Sequence, residues 1–148
     1  MLCNFKFRWY EIFCFPNTKG AKLMINGVRY SLVIPCYNEA ANLPLLLERA
    51  AESLSQKPGL ELILVDNGSS DKSPDVLAQL LPKYPFARSV RVDINQGYGH
   101  GILSGLAAAK GEILGWTHAD MQTDPADFLT AIEYCQNSKN PGPHFVKG

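Results

Sequence analysis

Four short apolar runs, at residues 31–34, 60–65, 90–94 and 113–117, alternate with longer stretches in which apolar residues recur every three or four positions. Runs of that length bounded by turn residues read as strands and the stretches between them as amphipathic helices, so the chain is built from βαβ units. Such crossovers are right-handed and lay the strands parallel. The expectation is an α/β, Rossmann-like fold with a mostly parallel sheet and helices on both faces. The first run stops at Pro35, after which Leu43, Leu46, Leu47, Ala50 and Leu54 place one apolar stripe on a helix over residues 39–55. Residues 60–65 are apolar except for Glu61, as in a strand buried on both faces. Ser73 is expected to cap a helix with Pro74 in its first turn, and Asp124 to cap the last helix, restarted by Pro125. Ile102, Leu103, Leu106 and Ala107 are expected to face inward from a helix over 99–110, and His144-Phe145-Val146-Lys147 to begin a fifth strand.

Residues 1–27 alternate aromatic and basic side chains and then enter the turn-rich Pro16-Asn17-Thr18-Lys19-Gly20. They are expected to be an N-terminal extension outside the core, either poorly ordered or a short β-segment, ahead of one domain over 28–148. With 14 basic and 14 acidic residues the chain has no general attraction for nucleic acid, so an anionic ligand must be held by a local site. The four cysteines lack metal-ligand spacing, which favours reduced thiols and a cytoplasmic setting. No apolar run approaches the ~18–20 residues of a membrane span.

Ligands of parallel sheets bind beyond the carboxyl ends of the strands. Four loops lie there, and polar residues and glycines concentrate in them. Pro35-Cys36-Tyr37-Asn38-Glu39 offers an aromatic face for a nucleobase and a carboxylate for ribose hydroxyls, and equally reads as a strand-to-helix turn capped by Asn38. Asp66, directly after a buried strand, is placed to accept an N–H from a base edge or to form an Asx-turn. Asn95-Gln96-Gly97-Tyr98-Gly99-His100-Gly101 lets backbone approach a ligand closely. It is not a dinucleotide fingerprint, because Ile102 stands where the third glycine of GxGxxG belongs and the loop follows the third strand rather than the first. A nicotinamide-dependent oxidoreductase is therefore disfavoured. The fourth loop presents His118, Asp120 and Gln122 at alternate positions, three potential ligands for a divalent cation beside a departing diphosphate. His118 taken singly also reads as a satisfied polar residue at a strand end.

Four segments together resemble family 2 glycosyltransferases of the GT-A fold, in the branch of dolichol-phosphate mannosyltransferases and undecaprenyl-phosphate enzymes. They are Val33-Ile34-Pro35-Cys36-Tyr37-Asn38-Glu39, Val65-Asp66-Asn67-Gly68-Ser69-Ser70-Asp71, Asn95-Gln96-Gly97-Tyr98-Gly99 and His118-Ala119-Asp120-Met121-Gln122. The resemblance implies a nucleotide-diphospho-sugar donor, UDP- or GDP-linked, with Pro35, Tyr37, Glu39, Asp66, Asn67, Gly97 and His118 at the nucleotide. It implies a Mg²⁺ or Mn²⁺ ion held by Asp120, with His118 and Gln122 assisting. A polyprenyl-phosphate or saccharide acceptor, peripheral association with the inner face of the membrane, and a role in envelope polysaccharide or glycolipid synthesis accompany it.

Two positions depart from the family pattern, which usually has aspartate where this chain has Asn67 and His118. In the family the acceptor site and the general base come from segments after the fifth strand. The domain over 28–148 is thus expected to be the donor-binding part, incomplete at its C-terminus, and no catalytic base is nominated. The alternative is a nucleotide-sugar-binding fragment or pseudoenzyme without turnover.

Overall fold

The computed structural model describes residues 11–14, 27–138 and 144–147. Among them, six strands form one sheet: β1 (Glu11–Cys14), β2 (Tyr30–Cys36), β3 (Leu60–Asn67), β4 (Ala87–Val92), β5 (Ile113–Trp116) and β6 (His144–Lys147). Their spatial order is β4-β3-β2-β5-β1-β6. β2 to β5 are mutually parallel, as expected of βαβ units, and β1 runs antiparallel to both β5 and β6. Four helices complete the fold: α1 (Leu43–Leu54), α2 (Ser73–Leu80), α3 (Tyr98–Ala108) and α4 (Asp127–Asn137). Among the described residues no helix is long and apolar enough to cross a membrane.

Side chains alternate across the two central strands. Leu32, Ile34, Leu62 and Leu64 face one side of the sheet, and Val33, Ile63 and Val65 the other. The first side is covered by α1, α2 and α4 through Leu43, Leu46, Leu47, Ala50, Leu54, Leu77, Phe128 and Ile132. All five residues of the α1 stripe read from the sequence are buried, each leucine contributing about 2 kcal/mol of transfer free energy. The second side is covered by α3.

The way α3 packs differs from expectation. Its buried residues are Gly101 and Gly105, while Leu103 is 66% exposed and Ala107 also faces solvent. A Cβ built on Gly105 would lie 2.3 Å from Val33 Cγ1 and 2.8 Å from Val65 Cγ2, so the helix sits too close to the sheet for any larger residue on that face. Leu106 does face the sheet as expected, packing against Val33, Ile63 and Val65, whereas Leu103 and Ala107 do not.

Other boundaries move for local reasons. Residues 39–42 form a turn rather than the first turn of α1, because the amides of Asn42 and Leu43 both donate to the Glu39 carbonyl. Ser73 does not cap α2. It is the first helical residue, and its hydroxyl accepts the Glu39 amide at 2.9 Å instead. Asp124 does not cap α4 either, whose N-cap is Ala126; its Oδ1 accepts the Ala126 amide at 2.9 Å in the turn ahead of the helix. β4 begins three residues earlier than the apolar run at 90–94 and stops at Val92, since its partner β3 ends at Asn67 opposite it; Ile94 is left 73% exposed.

At the chain's periphery, Glu11–Cys14 is the short β-segment expected as one alternative for residues 1–27, and it is inserted between β5 and β6, where it satisfies backbone groups of both neighbours. The rest of residues 1–26 lies outside the described residues. Cys36 is a buried free thiol, but Cys135 is disulfide-bonded, so the reading of every cysteine as reduced fails there. Sequence spacing does not reveal which thiols the fold brings together.

Candidate active site

Strand order reverses between β2, whose helix leads to β3, and β5, which lies on the other side of β2. In open parallel sheets that switch point opens a crevice at the carboxyl ends of the strands. Here β5 pairs with β2 only as far as Val33 opposite Trp116, with the Thr117 amide closing the ladder on the Val33 carbonyl. By alternation Pro35 turns its nitrogen to the same side, where β5 has already ended. Its missing N–H therefore leaves no gap in the ladder, and a proline fits within a central strand.

The first two loops are laced together. Asn38 adopts a left-handed conformation (φ 57°). Its amide donates to Ser69 Oγ at 3.0 Å, and its Oδ1 accepts the Ser70 amide at 2.9 Å and the Asp71 amide at 3.3 Å. The Ala40 amide donates to Asp71 Oδ2 at 3.2 Å. Hydrogen bonds from Ser73, hydroxyl first and then amide, hold the Asp71 carboxyl below its ordinary range. Asn38 thus bridges two loops rather than capping α1. Tyr37, next to it, is 49% exposed, and the Glu39 carboxylate accepts the Asn42 side-chain amide at 2.6 Å.

Asp66 and Asn67 lie beneath this surface. Asp66 is 2% exposed, with one carboxylate oxygen accepting the Ser69 amide at 3.1 Å and the other paired with Arg91. A base N–H would reach it only as a further partner. Arg91 was not singled out from the sequence; it stands directly opposite Asp66 in the β3–β4 register, and only that register reveals it. Asn67 is 3% exposed and donates from Nδ2 to the Gly97 carbonyl at 3.0 Å. Burial, with the Glu39 and Asp66 carboxylates adding to it, pushes the Cys36 thiol far up, so this cysteine is no nucleophile at neutral pH.

The glycine-bearing third loop lies against the second. Gly68 has φ 72°, and a Cβ there would meet the Asn95 backbone nitrogen at 2.5 Å. Gly68→Ala is accordingly expected to cost about 2 kcal/mol, from the left-handed backbone and the contact together, read as a lowered urea midpoint. Gly97 also has a positive φ, 99°, but is open to solvent, with its amide on Asn95 Oδ1 at 2.7 Å.

The fourth loop is a turn and not a continued strand. β5 ends at Trp116, Met121 is left-handed (φ 63°), and the buried hydroxyls of Thr117 and Thr123 meet at 2.6 Å to close the loop. The strand alternation invoked for His118, Asp120 and Gln122 therefore does not operate, although Asp120 and Gln122 do project into solvent. Asp120 Oδ1 accepts the Gln122 amide at 3.1 Å. The His118 ring is stacked on Tyr98, centroids 4.9 Å apart and planes within 2°, with Nε2 3.5 Å from the Tyr98 hydroxyl. Tyr98, the stacking partner, was not nominated from the sequence either.

No group of three or more His, Cys, Asp or Glu side chains converges among the described residues. A single exposed carboxylate such as Asp120 does fit a hard cation whose other positions are filled by phosphate oxygens and water, the usual arrangement for Mg²⁺.

The family model described as Glycosyl transferase family 2 matches residues 31–141, which include all four loops. The chain belongs to this family. Curated relatives include the undecaprenyl-phosphate 4-deoxy-4-formamido-L-arabinose transferase of Photorhabdus laumondii, 40% identical over 71% of this chain and 33% of its own length. The protein of the same name from Pseudomonas aeruginosa is 37% identical over 70% of this chain and 31% of its own. The chain thus spans about a third of the length of the curated relatives it matches. Among solved structures, a Pyrobaculum calidifontis mannosyltransferase in complex with GDP-Man and Mn²⁺ superposes with a TM-score of 0.65 at 26% identity, covering 75% of this chain and 33% of that one. Staphylococcus aureus TarS 1–349 in complex with UDP-GlcNAc superposes at 0.60, with 20% identity over 74% of this chain and 31% of that one, and supports the fold. These structures share the GT-A arrangement expected of a family 2 glycosyltransferase.

Proposed function

We propose that the chain is the donor-binding part of a glycosyltransferase that moves a sugar from a nucleoside-diphosphate donor to a polyprenyl-phosphate acceptor. The observation that carries this reading is the convergence of four interlocked loops at the β2–β5 switch point, with Asp120 exposed at its rim. In the reaction an acceptor oxygen bonds to the anomeric carbon as that carbon's bond to the β-phosphate oxygen breaks, and the electron pair leaves with the nucleoside diphosphate. The exposed Tyr37 ring would stack on the base, and the open backbone at Gly97 would face the diphosphate. Pro35, Glu39, Asp66 and Asn67 would shape the pocket from beneath and from the side, Asp66 through Ser69 and Asn67 through Gly97. Asp120, with His118 and Gln122 beside it, would hold Mg²⁺ or Mn²⁺, which supplies positive charge against the departing diphosphate. Support for the donor comes from the neighbours solved with GDP-Man and with UDP-GlcNAc, and for the acceptor from the relatives' undecaprenyl-phosphate names. That acceptor would place the chain peripherally at the inner face of the membrane, in envelope glycolipid synthesis.

Thermal denaturation with UDP and with GDP, each with and without Mn²⁺, tests the reading. A nucleotide at a hundred times its Kd should stabilise the fold by about 2.7 kcal/mol by mass action. In a chain of this size that is roughly a 5–10 °C rise in Tm. One nucleotide should stabilise the fold in the presence of Mn²⁺, and Asp120→Ala should abolish most of that shift while leaving the ligand-free Tm in place. No shift with either nucleotide under any condition would sink the proposal.

A further inference from the structure

Asn67 and His118, on different loops, touch adjacent residues of a third. Asn67 reaches Gly97, and His118 reaches Tyr98. Neither contact survives an aspartate. A carboxylate at 67 has no proton to donate to the Gly97 carbonyl and would set two acceptors against each other, and a carboxylate at 118 has no ring to lay on Tyr98. The Asn67 side chain is held by that single donation, its Oδ1 being buried without a hydrogen-bond partner. The site around it is tight: a Cβ on Gly101, in the first turn of α3, would come within 3.0 Å of Asn67 Nδ2 and 3.2 Å of Pro35 Cβ. The loop is thus gripped from below by β3 and from across the crevice by the loop after β5.

We propose that Asn67 and His118 are paired positioning residues that clamp the Gly97-Tyr98 turn in place beside the β2–β5 crevice, so that the backbone meeting the donor diphosphate is set before the donor arrives. The proposal rests on the donor-site reading for its purpose, but the clamp itself is a property of the ligand-free chain.

Hydrogen exchange at the Gly97 and Gly101 amides of the ligand-free chain tests the clamp, since these amides are bonded to Asn95 Oδ1 and to the Gly97 carbonyl within the turn. A stacked aromatic pair is worth enough that His118→Asp should speed exchange there about three- to tenfold. His118→Phe keeps a ring and should retain near-native protection, an outcome that a role resting on the imidazole nitrogens would not give. Asn67→Asp should loosen the same amides, and Asp120→Ala, which touches neither contact, should not. Should Asn67→Asp fail to fold, the two partly exposed His118 variants still decide the matter. Unchanged exchange in His118→Asp, or equal loosening in His118→Phe, would overturn the clamp. If the chain binds UDP or GDP, binding measured without divalent metal should weaken several-fold in His118→Asp and stay near native in His118→Phe, and equal binding by the two variants would overturn the positioning role. If it binds neither nucleotide, the donor-site reading fails while the exchange result still judges the clamp.

Discussion

Gly105→Ala is expected to lower the free energy of unfolding by about 3 kcal/mol, near the upper end of what a methyl forced into a filled core costs. The added carbon would arrive 2.3 Å from Val33 Cγ1 and 2.8 Å from Val65 Cγ2. Both valines are fully buried on the two central strands, and β-branched side chains have few rotamers by which to turn aside. The strain can be relieved only by lifting α3 from the sheet, which carries the Gly97–Gly101 turn with it. A lowered urea midpoint together with faster exchange at Gly97 and Gly101 is therefore the expected pair of results. An unchanged midpoint would mean that α3 is not docked this closely.

Glu61→Ala is expected to cost a similar amount, about 3 kcal/mol, through loss of a buried acceptor that serves three donors. Its Oε1 accepts the Ser31 hydroxyl and the Lys110 amide, both at 2.7 Å, and its Oε2 pairs with Arg88 Nε at 3.0 Å. Arg88 and Ser31 extend the network, to the Ala108 carbonyl at 2.6 Å and from the Gly111 amide at 2.8 Å. The network ties the end of α3 to β2, β3 and β4, at the edge of the sheet opposite the loops. Burial alone would push the Glu61 carboxyl up, but the hydrogen bonds from Ser31, Lys110 and Arg88 outweigh it and hold the group below its ordinary range. A carboxyl lowered in the folded state adds stability above its unfolded pKa of about 4.3 and loses that contribution as pH falls through the folded value. The gap between the native chain and Glu61→Ala, measured by urea denaturation, should accordingly be widest near neutrality and narrow below about pH 4. A gap that stayed constant down to pH 3 would show that the charge on Glu61 is not what the network uses.

Glu61 also shows where reading the sequence stops. A lone glutamate in an apolar run marks a buried strand with one polar requirement, but the sequence does not say that Arg88, 27 residues on, meets it. Asp66 and Arg91 repeat the case at the other end of the same two strands. Each pairing depends on the β3–β4 register, which the apolar run at 90–94 does not give, and that run leaves Arg88 outside the strand altogether. Tyr98 and His118 lie on loops 20 residues apart, and nothing in either loop signals that their rings become parallel. The four loops themselves were readable, because a turn at the carboxyl end of a strand needs glycine, proline, asparagine or aspartate for backbone reasons that act locally.

What the sequence determined by itself is therefore what depends on neighbours along the chain: the alternation of strand and helix, the apolar stripe of α1, the doubly buried β3, and the positions of the four loops at the carboxyl ends of the parallel strands. Periodicity and turn chemistry act over a few residues, so they survive in a linear reading. The tertiary structure alone decided that Glu11–Cys14 joins the sheet, that α3 approaches the sheet most closely at Gly101 and Gly105, that Asp66 is held by Arg91, and that Asn67 and His118 grip one turn. Those outcomes are set by register, by the closeness of a helix to a sheet and by which loops meet across a crevice, quantities that exist only once distant segments have been brought together.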